Sequence, residues 1–155
     1  MYTALQIAAY IMSEQPRIDE MRLHKYLYLA QRESFIVSGK PLFEDAFEAW
    51  KFGPVIPEVR HAYHSKSLNE YFADSYDEKT IKVIEDTIAR YKRFSSWGLS
   101  RITHNEVSWR NARRGLQDGE NGNNPMHVED IKIDADAESR QRNWDLLEEV
   151  LSRGE

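Results

Sequence analysis

The sequence contains no cysteine, which excludes disulfides and thiolate metal sites and makes a reducing compartment the natural expectation. No run approaches the roughly 18 to 20 apolar residues of a membrane span. The opening ALQIAAYIM is short, lacks a basic leader and runs straight into charged residues, so it does not read as a signal peptide. The expected location is the cytoplasm, with no membrane contact. Also missing are the P-loop, the G-x-G-x-x-G turn and the G-x-S-x-G elbow, so enzyme readings start without a motif. A basic surplus is absent too. The net charge is -5, and 118–149 holds ten acidic residues against Lys132, Arg140 and Arg142, the opposite of what a duplex-binding domain shows.

What is present suits one soluble, mainly helical domain over 1–155: 41% hydrophobic and 30% charged residues, too apolar for a disordered chain. Glycine and proline are few, 7 and 5, so their breaks can be read one by one. Leu5, Ala8, Ala9, Ile11 and Met12 set a first helix over 2–15, closed by Pro16. Asp19 caps a second that reaches about Val37 and stops at Gly39; its Tyr26 and Tyr28 point to different sides, which puts one of them at the surface. Residues 47–52 alternate and read as a short β-hairpin or an extended segment around 46–55. Pro57 opens a helix with Val59, Ala62 and Tyr63, and 67–75 reads as connecting structure. Asp77 caps a helix ending near Phe94, and Ser95 or Ser96 caps another that arrives at Thr103 and His104. Asn105 or Ser108 starts a further turn with Trp109 and Ala112 on one face. The Gly/Asn-rich stretch within 115–125 is expected to be a mobile loop. Two helices follow, 128–133 and a C-terminal one over 137–152, the latter with Trp144, Leu147 and Leu151 at helical spacing.

Candidate chemistry is thin. His61 and His64 lie three apart on a predicted helix, which metal geometry allows, but no third ligand accompanies them. His104, beside Thr103 and Glu106, invites a general-base reading, yet no nucleophile presents itself, and the plainer role is to tie the Trp109 segment to the core. No cofactor, metal or catalytic residue is therefore expected. Arg101, Arg110, Arg113 and Arg114 form a small basic cluster. It reads either as a solvated face pairing with the acidic segment or as phosphate contacts of a DNA-binding helix-turn-helix. For protein binding, the tryptophans Trp50, Trp109 and Trp144 with Phe52 supply residue types that dominate interface hot spots.

Three blocks carry a resemblance: LHKYLYLAQ at 23–31, SGKPLFEDAFEAWKFGPVIPEV at 38–59, and THNEVSWRNAR at 103–113. In this order the chain resembles the Panacea domain family, also called the SocA-like or GepA-like phage-associated domain, over about residues 4–133. The middle block is the most specific. The third departs, because family members often place a proline just before the tryptophan at the position of Ser108. The resemblance implies a mainly helical antitoxin of a bacterial or prophage toxin-antitoxin pair, non-enzymatic, neutralising a cognate protein toxin by direct contact. One member is a proteolytic adaptor that hands its toxin to host protease machinery, a role no residue here marks. The acidic balance suits a basic toxin. The alternatives are a prophage-associated DNA-binding regulator and, further off, a hydrolase using His104. Within the blocks, Trp50, Gly53, Pro54, Pro57, Thr103, His104 and Trp109 are expected to define the fold, with Trp50 as a buried indole. Lys51, Phe52, Val55, Arg110, Arg113 and Arg114 are expected to contact the partner.

Overall fold

The chain is described over residues 1–154 in a computed structural model. Capping chemistry sets most helix boundaries. Helix α1 (Ala4–Glu14) begins at a reciprocal capping box between Thr3 and Gln6. Helix α2 (Glu20–Ser38) is capped by Asp19 and stopped by Gly39, which sits in the left-handed region at φ 72°. A two-stranded antiparallel hairpin follows, β1 (Glu48–Trp50) against β2 (Gly53–Val55), with Ala49 opposite Pro54. Pro57 is the first residue of α3 (Pro57–His64), and a single 3-10 turn, Leu68–Tyr71, occupies the connection after it. Asp77 caps α4 (Glu78–Tyr91) and Ser95 caps α5 (Ser96–His104). Helices α6 (Val107–Ala112) and α7 (Val128–Arg153) complete the fold. Among the described residues the architecture is mainly α, with this hairpin its only sheet. No described helix is long and apolar enough to cross a membrane.

Helix α2 is the centre. Residues 23–35 are buried without interruption, with α1, α4, α5 and α7 packed around them. Leu23, Leu27 and Leu29 join Ile7, Ile11, Ile84 and Leu99 in one core cluster. This corrects the expectation for the tyrosines: Tyr26 and Tyr28 are both buried, because a helix enclosed on all sides has no solvent face to give one of them. A second correction concerns the C-terminal region, where the two expected helices are one continuous α7. The residues between, Ile133 to Asp136, include neither glycine nor proline, so nothing there breaks the ladder.

Several polar side chains buried on α2 are satisfied by other elements. Gln31 donates to the Phe43 carbonyl at 2.8 Å and accepts from the Leu42 amide at 2.8 Å. Arg32 pairs with Glu106 and donates to the Tyr91 hydroxyl, and Glu33 accepts a two-pronged contact from Arg142 on α7 at 2.8 and 3.0 Å. Tyr28 donates to Asp134 at 3.2 Å. Asp134 also accepts from the Val107 and Ser108 amides at 2.7 and 2.9 Å. It therefore caps α6 from another helix, in place of a local side chain: Glu106 occupies the N-cap position and makes no capping bond. Burial first, and then the neighbouring Asp134, push Glu106 up to about 8 against the pull of Arg32.

Candidate functional site

The hairpin is anchored through its backbone. Trp109 donates its indole N–H to the Trp50 carbonyl at 2.8 Å, Arg113 donates to the Ala49 carbonyl at 3.0 Å, and Ser100 donates to the Phe52 carbonyl at 2.6 Å. On the edge of β1 away from β2, where Arg113 reaches the Ala49 carbonyl, the Ala49 amide donates to the Asn124 carbonyl and the Met126 amide to the Phe47 carbonyl, both at 2.8 Å. The middle and third sequence blocks are thus tied by hydrogen bonds whose acceptors are main-chain oxygens.

The pleat fixes which side chains face where. Phe47 and Ala49 point into the core. Trp50, on the opposite side, is half-buried rather than a buried indole. Its ring N–H donates to Glu48, and the Arg60 guanidinium lies over its face at 5.6 Å. Gly53 sits at φ 129°, and a β-carbon there would come within 2.6 Å of Lys25 Cε and 2.8 Å of its Nζ. Pro54 lies in the ladder opposite Ala49, and Thr103 is fully buried. His104 stacks on Trp109, ring centroids 4.1 Å apart and nearly parallel, with Arg113 over the same indole at 5.0 Å. Burial first, then the charges of Lys25 and Arg113, hold His104 below the usual histidine range.

Between the hairpin, the start of α2, α3 and the 121–123 segment lies a cleft of about 750 Å³. Trp50, Phe52, Val55 and Met21 give it apolar walls, and Lys51 and Arg60 also line it. Its floor is polar, made by His24 and Lys25, which are 3% and 2% exposed. Glu20 accepts from Arg60 at 2.5 Å, and the rings of His24 and His64 lie 3.1 and 2.8 Å from it. Although burial works the other way, His24 and Arg60 hold Glu20 down at about 2. Burial keeps His24 below the usual range. Facing a carboxylate, its Nε2 carries the proton, which leaves Nδ1 as an acceptor without a partner. At the rim, Phe52 and Trp97 meet edge to face at 5.3 Å, with 45% and 59% of their surfaces exposed, and the Lys51 ammonium lies over Phe52 at 5.1 Å.

Of the side chains expected to contact a partner, Lys51, Phe52 and Val55 come together at this cleft. Arg110 and Arg114 are exposed elsewhere, whereas Arg113 is buried and turned inward. Its guanidinium donates to the Gln117 and Glu120 carbonyls at 3.3 and 2.5 Å. These bonds, with Asn124 donating to the Ala112 carbonyl at 3.0 Å, fasten both ends of the loop expected to be mobile. His61 is exposed, and among the described residues no group of three or more His, Asp or Glu side chains is arranged to hold a metal ion. Sequence reasoning missed Glu20, His24, Lys25 and Arg60. The available signal was the charged His24-Lys25 pair inside a helix that has to be central.

The family model described as antitoxin SocA-like, Panacea domain, matches residues 23–110. Among curated proteins, Antitoxin SocA of Caulobacter vibrioides (strain NA1000 / CB15N) is 44% identical over 46 residues. That stretch is 30% of this chain and only 24% of the relative's length. No solved structure matches the chain. The family match runs from the first turn of α2 through the hairpin to α6 and takes in more than half of the sequence, so the chain belongs to the SocA-like antitoxin family defined by the Panacea domain.

Proposed function

We propose that this protein is an antitoxin that neutralises a cognate protein toxin by direct, non-catalytic contact through the cleft face. The observation that carries this reading is the rim: two large aromatic side chains, Phe52 and Trp97, stand exposed against each other beside an apolar cleft. Exposed aromatics around a concavity are the usual anchors of protein interfaces. Lys51, Phe52 and Val55 are the contact residues at the cleft, with Arg110 and Arg114 as outlying cations. The net charge of -5 favours a toxin that is basic overall, drawn in by long-range attraction. Delivery of the captured toxin to host protease machinery is compatible with the same surface. The DNA-binding alternative is weakened because Arg113 is committed to the loop it holds.

The test is co-expression with the toxin-like protein encoded beside it. Restored growth and a co-purifying complex are expected, both weakened by a Phe52→Ala, Trp97→Ala double variant. If wild-type protein gives neither growth nor complex, the antitoxin reading falls.

A further inference from the structure

Six polar side chains are buried on α2: His24, Lys25, Gln31, Arg32, Glu33 and Ser34. Five have hydrogen-bonding partners, Ser34 through the Lys40 carbonyl at 2.6 Å. Lys25 makes no hydrogen bond or ion pair among the described residues. It is 2% exposed, it lines the cleft, and Gly53 leaves room for the end of its side chain. An ammonium on so buried a side chain, with no protein acceptor, is costly, and it belongs to a cleft that Trp50, Met21 and Val55 also line. The charges around it are Asp19 and Glu20 at the start of its own helix, Arg60 on α3, Lys51 on the hairpin and His104 on α5. Glu20 is already shared among Arg60, His24 and His64, so the cleft keeps an excess of positive charge.

We propose that the cleft is a carboxylate-binding site in which the Lys25 ammonium receives an Asp or Glu carboxylate from the protein partner, with that residue's apolar neighbour against Trp50 and Val55. The source of the carboxylate rests on the antitoxin reading; the site itself does not. A toxin that is basic overall can present one such acidic segment, because charge steering acts over the whole surface and the anchor acts at one point.

The site is tested with two pairs of probes, titrated into isotope-labelled protein and followed by amide shifts over residues 20–31 and 48–56. The first pair is 3-phenylpropanoate and 3-phenylpropanamide. The second is the blocked peptide acetyl-Phe-Glu-Leu-amide and its glutamine counterpart. Each carboxylate is expected to bind at least tenfold more tightly than its neutral partner. Lys25→Met should remove that preference, and Lys82→Met, at an exposed lysine of α4 that does not line the cleft, should retain it. Equal binding of acid and amide to wild-type protein, or no binding, overturns the proposal whether or not Lys25→Met folds. Binding of the free acid without the peptide leaves the site and overturns its assignment to a protein partner. Growth rescue by wild type that survives Lys25→Met overturns that assignment as well, while absence of rescue by wild type falls on the antitoxin reading instead.

Discussion

Replacing Lys25 with methionine should stabilise the protein at neutral pH. Burial lowers the Lys25 ammonium from the usual 10.5 to about 8, with only partial relief from Asp19 and Glu20. Below pH 8 the amine is protonated in both folded and unfolded chains, and the folded state bears the full cost of the buried charge. Between 8 and 10.5 the unfolded chain holds the proton that the folded one has lost, so stability rises with pH; above 10.5 both are neutral and the cost is gone. The span from 8 to 10.5, at about 1.4 kcal/mol per pH unit, corresponds to about 3 kcal/mol. Methionine keeps the length and the apolar stem and removes the charge. For a domain of this size about 3 kcal/mol raises Tm by about 6–12 °C. Paired melts of wild type and Lys25→Met at pH 7 and pH 10.5 should show that gain at the lower pH and little of it at the higher. A variant that melts below wild type at pH 7, or a difference equal at both values, would refute the reasoning.

Asp134→Ala should cost about 2–4 kcal/mol in urea unfolding, because it leaves two α6 amides without their acceptor and removes one of the two partners of the Tyr28 hydroxyl. Gly53→Ala should be destabilised by about 2 kcal/mol or more, from its φ of 129° and its contact with Lys25. Adding Lys25→Ala should recover only the contact part, so full recovery would argue against backbone strain. Arg113→Ala should speed amide exchange over 115–124 while leaving α4 protected; unchanged exchange would mean that the loop holds itself. Trp109→Ala should cost about 3–5 kcal/mol and Trp50→Ala about 1–2 kcal/mol, since Trp50 anchors the hairpin through its carbonyl and its indole is half-buried. Lys51→Glu should spare Tm and weaken the toxin complex, and the reverse pattern would move the contact surface off the hairpin.

The helices were legible wherever the signal is local. Asp19, Asp77 and Ser95 act as caps and Gly39 as a stop because each effect spans only three or four residues. The hairpin showed in the alternation of 47–52, but which of its faces turns inward did not. Ala49 and Trp50 sit on opposite sides, and size suggested the indole for the core. The small Ala49 is the one turned inward, on the same side as Phe47, with Arg113 donating to its carbonyl. Helix α6 starts at Val107 because a carboxylate on α7 receives its amides, and no window around Asn105 or Ser108 contains that information. The cleft floor was hidden for a related reason. A central helix that carries polar side chains on several faces shows no clean amphipathic stripe, so His24 and Lys25 pass as surface residues until the fold encloses them.

Helix α7 is one rod with two unlike halves. Its earlier turns are fixed through Asp134 and Arg142, whereas Trp144, Leu147, Val150 and Leu151 beyond them stand 47–67% exposed. A helix of about ten residues is marginal in water by itself, so the second half borrows its order from the turns that precede it. Amide protection should therefore fall steadily from Arg142 toward Arg153, a gradient along a single element with no hinge to mark it. Because the nucleation step is already complete at the packed end, ordering the remaining turns costs only propagation. A modest stabilising contact there would lengthen the ordered rod turn by turn, which makes the end of α7 a graded element.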